Sequence, residues 1–139
     1  MMIVETSNWE KFGQSDNAEF FIIEESILSI VPFSKCTDDE NTATQSVNIQ
    51  LDFLRKEGKS AAIIIFMDNI VQQTSAARAI YRELPDPEVQ LAYALVGGTN
   101  FGRAVASVFL GISKPKVPTK MFANFEQAIN WCHSIIKTK

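Results

Sequence analysis

Three charged residues stand where an α/β chain keeps its chemistry. Asp68 closes an unbroken apolar run, Arg78 falls in the helical segment that follows, and Arg103 comes just after the glycine pair Gly97 and Gly98. In parallel α/β sheets the ligand crevice lies outside the carboxyl ends of the strands. Two guanidiniums gathered there beside two helix N-termini would make an anion site, with Asp68 on the same rim. Asn100, in the turn before Arg103, joins them as a candidate for ligand or partner binding. The structural alternative is that Asp68 pairs with an arginine and locks the loops. It is the commoner outcome, because structural ion pairs mimic functional clusters.

The other motifs point away from catalysis. Gly97, Gly98 and Gly102 invite a phosphate-loop reading. They match neither G-x-G-x-x-G nor a P-loop ending in lysine and a hydroxyl. Turn chemistry and close helix packing explain them better. His133 is the only histidine and follows Cys132. Adjacent helix residues do not face one another, so a nucleophile pair is not expected, and His133 falls on the exposed side. Cys36 and Cys132 lie far apart without metal-ligand spacing. Phe20, Phe21, Phe101, Phe109, Phe122 and Phe125 read as core. An enzyme needs a nucleophile, a base or a metal. The sequence offers no matched set, so no catalytic residue, metal or cofactor is expected.

The elements that must position these residues follow from local patterns. Residues 1–16 are polar and weakly patterned, a flexible or loosely packed arm tacked down by Trp9 and Phe12. Residues 19–24 and 27–31 are β-rich and form an antiparallel hairpin ended by Pro32. Thr37 with Glu40 matches a capping box for a helix carrying Ala43, Val47, Leu51 and Leu54, with Gly58 as its C-cap. Residues 60–67 are apolar throughout, as in a strand buried on both faces. Thr74 or Ser75 caps the next helix, and Pro85 stops it. Residues 90–96 form a second central strand. Thr99 or Asn100 caps a helix whose stripe is Phe101, Val105, Val108, Phe109 and Ile112. Residues 119–122 form a short edge strand, and Asn124 with Gln127 starts the last helix. The order is β-β-α-β-α-β-α-β-α. It predicts a single α/β domain over 1–139, with a mixed, mostly parallel sheet of about five strands covered by helices.

Composition limits the function classes. The 139 residues are 46% hydrophobic and 21% charged, with a formal charge of −3. Such a charge gives no case for nucleic acid or an anionic membrane surface. No apolar run approaches a bilayer span. The first residues lack the basic start of a signal peptide, and two distant cysteines suit a reducing compartment. A cytoplasmic protein is expected.

The element order resembles that of STAS domains, typified by the bacterial anti-sigma-factor antagonist. It looks most like a SpoIIAA-like bacterial branch of that family. Members tend to end with ALLVG, a small turn, SR, an apolar helix, NKP, a P-x-x-x-F strand and a helix carrying A-x-x-W. This chain has Ala94 to Gly97, Gly102 with Arg103, Ser113 to Pro115, Pro118 to Phe122, and Ala128 to Trp131. The likeness is carried by the C-terminal third. In signalling STAS domains a D-S-S-G-like motif at a helix start bears the regulatory phosphoserine. An ungapped comparison places Thr74 and Ser75 on the serine pair, with Gln73 in place of the acid and Ala76 in place of the glycine. The resemblance implies a non-enzymatic regulatory or interaction module that binds a protein partner, with Ser75 or Thr74 as phosphorylation candidates. The strand-end rim leaves a small anionic ligand or a nucleotide as an alternative, and a homodimeric scaffold as another.

Overall fold

The computed structural model describes residues 4–98 and 115–138. Eight strands and three helices lie among them. In chain order they are β1 Glu10–Gln14, β2 Ala18–Glu24, β3 Ile27–Pro32, β4 Cys36–Asp38, α1 Glu40–Glu57, β5 Ala61–Phe66, β6 Ile70–Gln73, α2 Ser75–Glu83, β7 Gln90–Val96, β8 Thr119–Phe122 and α3 Phe125–Lys137.

Six strands form one sheet in the order β1-β2-β3-β5-β7-β8. The pairs β1–β2 and β2–β3 are antiparallel, and β3–β5, β5–β7 and β7–β8 are parallel. The sheet is therefore mixed, and the expectation of a mostly parallel sheet of about five strands is corrected. The sixth strand is β1, recruited from the stretch read as an arm. Gly13 allows it: a Cβ there would lie 2.9 Å from Ile49 Cγ2 on α1. A register shift between Lys11 and Gly13 marks the same point. The sequence reading also missed the parallel pair β4–β6, a separate two-stranded sheet. Strands of three and four residues leave too short a pattern to recognise from sequence.

β5 and β7 show why the central sheet needs cover on both sides. Ala61 and Ile63 with Tyr93 and Leu95 face one core, which includes Leu54 of α1. Ala62, Ile64 and Phe66 with Ala92, Ala94 and Val96 face a second, which includes Ala128 and Cys132 of α3. A strand with both faces covered alternates between two apolar layers, so it reads as an unbroken apolar run. Each large side chain so buried contributes about 1.5–3 kcal/mol.

Helix boundaries follow local chemistry. Gly58 ends α1 in the left-handed conformation, with φ 64°. Thr74 caps α2 by accepting from Ala77 N–H at 3.1 Å, and Asn124 caps α3 by accepting from Gln127 N–H at 2.9 Å. The start of α1 is corrected. Asp39 is the N-cap, bonded to Thr42 N–H, and Thr42 closes the box on Asp39 N–H. Thr37 lies inside β4 instead, because pairing with β6 holds it extended. The helix expected over 101–112, with its Thr99 or Asn100 cap, lies outside the described residues. Among the described residues, no helix is long and apolar enough to cross a membrane.

Candidate functional site

The strands β3, β5, β7 and β8 run in the same direction, so their carboxyl ends share one edge. Each described helix leaves a strand or loop at that edge, and the three N-caps Asp39, Thr74 and Asn124 lie along it. Short bonds hold the rim together. Asp68 Oδ2 accepts from Gly98 N–H at 2.9 Å, and Asn69 Nδ2 donates to Pro32 O at 3.1 Å. The turn between β5 and β6 is thus tied to the end of β7 on one side and to the end of β3 on the other. Among the described residues, Asp68 joins two loops through the Gly98 backbone N–H.

Thr74, Ser75 and Arg78 sit together at the start of α2. Thr74 N–H donates to Asp38 O at 3.0 Å. Ser75 is exposed as the first residue of the helix. Arg78, half-buried, turns back so that Nη1 donates to Gln73 O at 2.9 Å. Its Nε is buried and finds no partner among the described residues. Asn100 and Arg103 lie outside the described residues, so the rim is known here through Asp68, Thr74, Ser75 and Arg78.

Beneath α2 lies a buried carboxylate whose role the sequence did not reveal. Asp38 is 2% exposed. It accepts from Thr42 Oγ1 at 2.7 Å, Gln73 Nε2 at 3.0 Å and Asn17 Nδ2 at 3.3 Å. The Tyr81 hydroxyl bonds to Asp38 and to Ser46, and burial pushes its pKa well above the usual tyrosine range. The polar chain continues along the buried side of α1. Gln50 Nε2 donates to Ser46 Oγ at 3.1 Å, and Gln90 Nε2 donates to Gln50 Oε1 at 2.8 Å and to the Tyr93 hydroxyl at 2.9 Å. Thr42, Ser46 and Gln50 are spaced by four, so they form one stripe on the helix. A buried hydrogen-bonded network favours one arrangement of the elements it joins.

Among the described residues, a further opening at this edge lies on the opposite face of the sheet. It is a cleft of about 440 Å³ lined by Trp9, Phe66, Val96 and Phe125, with Val4, Glu5, Ala123 and Asn124 at its margin. Trp9 lies 6.2 Å from Phe66 and 5.7 Å from Phe125, and Phe66 stacks on Phe125 at 5.9 Å. Its size falls within the range of small-molecule pockets. The sequence offered one signal for it, Trp9 in an otherwise polar stretch.

The remaining polar residues are placed as follows. The His133 side chain is 42% exposed, and its Nε2 lies 2.9 Å from Glu24. Burial raises the Cys36 thiol to about 11, with the Asp38 charge adding to it. Burial also raises the Cys132 thiol to about 12, with Glu24 adding. Thiols so raised are protonated at neutral pH and poor nucleophiles. Among the described residues, no group of three or more His, Cys, Asp and Glu is arranged to hold a metal ion.

A family model matches residues 21–136. The chain belongs to the family described as Domain of unknown function (DUF7793). The family span takes in Asp38 and its network apart from Asn17, the β5–β6 turn, α1, α2 and all but the last residue of α3. β1 and the residues Val4, Glu5 and Trp9 precede it. No curated protein and no solved structure matches the chain.

Proposed function

We propose that this protein is a non-enzymatic regulatory module of the STAS type, cytoplasmic and bacterial, that docks a protein partner through the face around the start of α2. The observation that supports this reading is Ser75, exposed at the first position of a helix capped by Thr74. Gln72 and Val71, the latter 47% exposed, lie just before it on β6 and widen the face. Phosphate on Ser75 would bring about −1.5 to −2 charge to a helix N-terminus, where negative charge is favoured. Arg78 stands three residues on, within reach on the same side of the helix. Its guanidinium would exchange the Gln73 carbonyl for the phosphate, and Gln73 is in turn bonded to Asp38. Modification at the surface would thus reach the junction between α1 and α2.

The test is intact-mass measurement of protein from its native cells, followed by partner capture with wild type, Ser75→Asp and Ser75→Ala. A modified fraction, with capture altered by Ser75→Asp, supports the reading. Absence of any modified fraction together with identical capture by all three proteins refutes it. One observation favours a second reading, a small anion at the same rim: Arg78 Nε is buried without a partner among the described residues. In that case phosphate or a nucleotide raises the melting temperature of wild type and not of Arg78→Ala.

A further inference from the structure

The aromatic cleft lies on the other face of the sheet from α2 and Asp38, and neither the rim nor the buried network makes use of it. We propose that it binds a small organic cation, an ammonium group carried on an apolar or aromatic body. The cleft fixes both halves of that ligand. Phe66 and Val96, 3% and 1% exposed, form a floor at the ends of β5 and β7. Trp9 and Phe125, both half-buried, stand over it and present ring surface to the opening. Such a lining takes an apolar body, and aromatic faces attract cations through the ring quadrupole.

Charge decides the sign. Among the described residues lining the cleft, Glu5 is the only one that carries a formal charge. It accepts from Ser7 N–H at 2.9 Å, and hydrogen bonding to Ser7 holds its carboxyl below the usual range. It is therefore a carboxylate at neutral pH. The N-terminus of α3 also borders the cleft and would by itself favour an anion. That end is already compensated: Asn124 takes the Gln127 N–H, and Glu126 puts a second carboxylate in the first turn. A cation thus meets a carboxylate and aromatic faces, while an anion meets Glu5 across a capped helix end.

The experiment uses three probes with one body: 2-phenylethylammonium, 2-phenylethanol and phenylacetate. Trp131→Phe leaves Trp9 as the only tryptophan, so its fluorescence reports the cleft. The expected result is saturable binding of the ammonium at millimolar concentration, about tenfold tighter than the alcohol, with phenylacetate weaker still. Calorimetry on the wild-type chain repeats the ranking without the substitution. Glu5→Gln should bring the ammonium down to the affinity of the alcohol at an unchanged melting temperature, because Glu5 is exposed. The proposal is overturned if none of the three saturates, if phenylacetate binds as tightly as the ammonium, or if Glu5→Gln leaves the ranking unchanged.

Discussion

Asp38→Ala should be among the costliest single changes in this protein, and the hydrogen bonds say how costly. Four donors converge on the carboxylate, and three have another acceptor nearby. Thr42 Oγ1 lies 3.2 Å from Asp39 O, Asn17 Nδ2 lies 3.1 Å from Thr37 O, and Tyr81 bonds also to Ser46. Gln73 Nε2 bonds to Asp38 and would be stranded. A stranded buried donor costs about 1–3 kcal/mol, and loss of hydrogen bonds to a charged group adds about 1.5–3 kcal/mol. Removing a buried charge also recovers its desolvation penalty, which keeps the net near 3 kcal/mol. The neighbouring Asp39 is the actual N-cap of α1 but is exposed, so Asp39→Ala should cost only about 1 kcal/mol. Asp38→Asn should fall between them, because Gln73 Oε1, buried without a partner among the described residues, can turn to accept the new amide. Urea unfolding followed by far-UV circular dichroism at neutral pH measures all three. If Asp38→Ala proves no more destabilising than Asp39→Ala, the network does not bind the two helices as argued.

Three further outcomes follow from particular residues. Gly58→Ala should lower stability by about 1 kcal/mol in thermal melts through its positive φ alone, since a Cβ there meets no atom within 4 Å; a neutral result would contradict the left-handed cap. Gly13→Ala should destabilise by about 1–3 kcal/mol, and much less in an Ile49→Ala background, because the two side chains would occupy one space. Additive effects in that cycle would show that β1 and α1 are not in close contact. The raised thiols predict a decline of stability at alkaline pH. The unfolded chain ionises its cysteines near pH 8.5, while the folded thiols stay protonated up to about 11 for Cys36 and about 12 for Cys132. Stability from this source is full below about pH 8.5 and is lost as pH rises through that window. Urea midpoints that stay level from pH 7 to about pH 10 would refute it.

Local signals were legible where one residue type has one physical use. The glycine at the end of α1, the threonine and asparagine caps of α2 and α3, and the limits of β7 could be read directly. So could the inward stripe of α1, where Ala43, Val47, Leu51 and Leu54 are all buried. The same helix shows where such reading stops. Thr42, Ser46 and Gln50 are polar and lie off that stripe, yet they are buried as well. Their partners lie on other elements: Gln90 is forty positions from Gln50, and no helical period carries that information. The candidate rim divides in the same way. Asp68 was identified by its place after an apolar run, but its backbone partner at Gly98 was not. Asp38 stands beside Asp39 and Glu40 in a run of acids at a helix start, and its burial depends on β6 pairing beside it.

By itself, the sequence determined the alternation of helix and strand, the central position of β5 and β7, and the edge strand β8. These rest on interactions within a few residues or on the demand that an apolar run be covered. Only the tertiary structure decided that β1 joins the sheet, that β4 and β6 pair, and that helix α1 begins at Asp39. It alone brought Asp38 under α2 and set Trp9 against Phe66 and Phe125. Each of those outcomes is a contact between residues distant in the chain. Such contacts depend on complementary shapes and unsatisfied hydrogen bonds that come into being only once the sheet has formed.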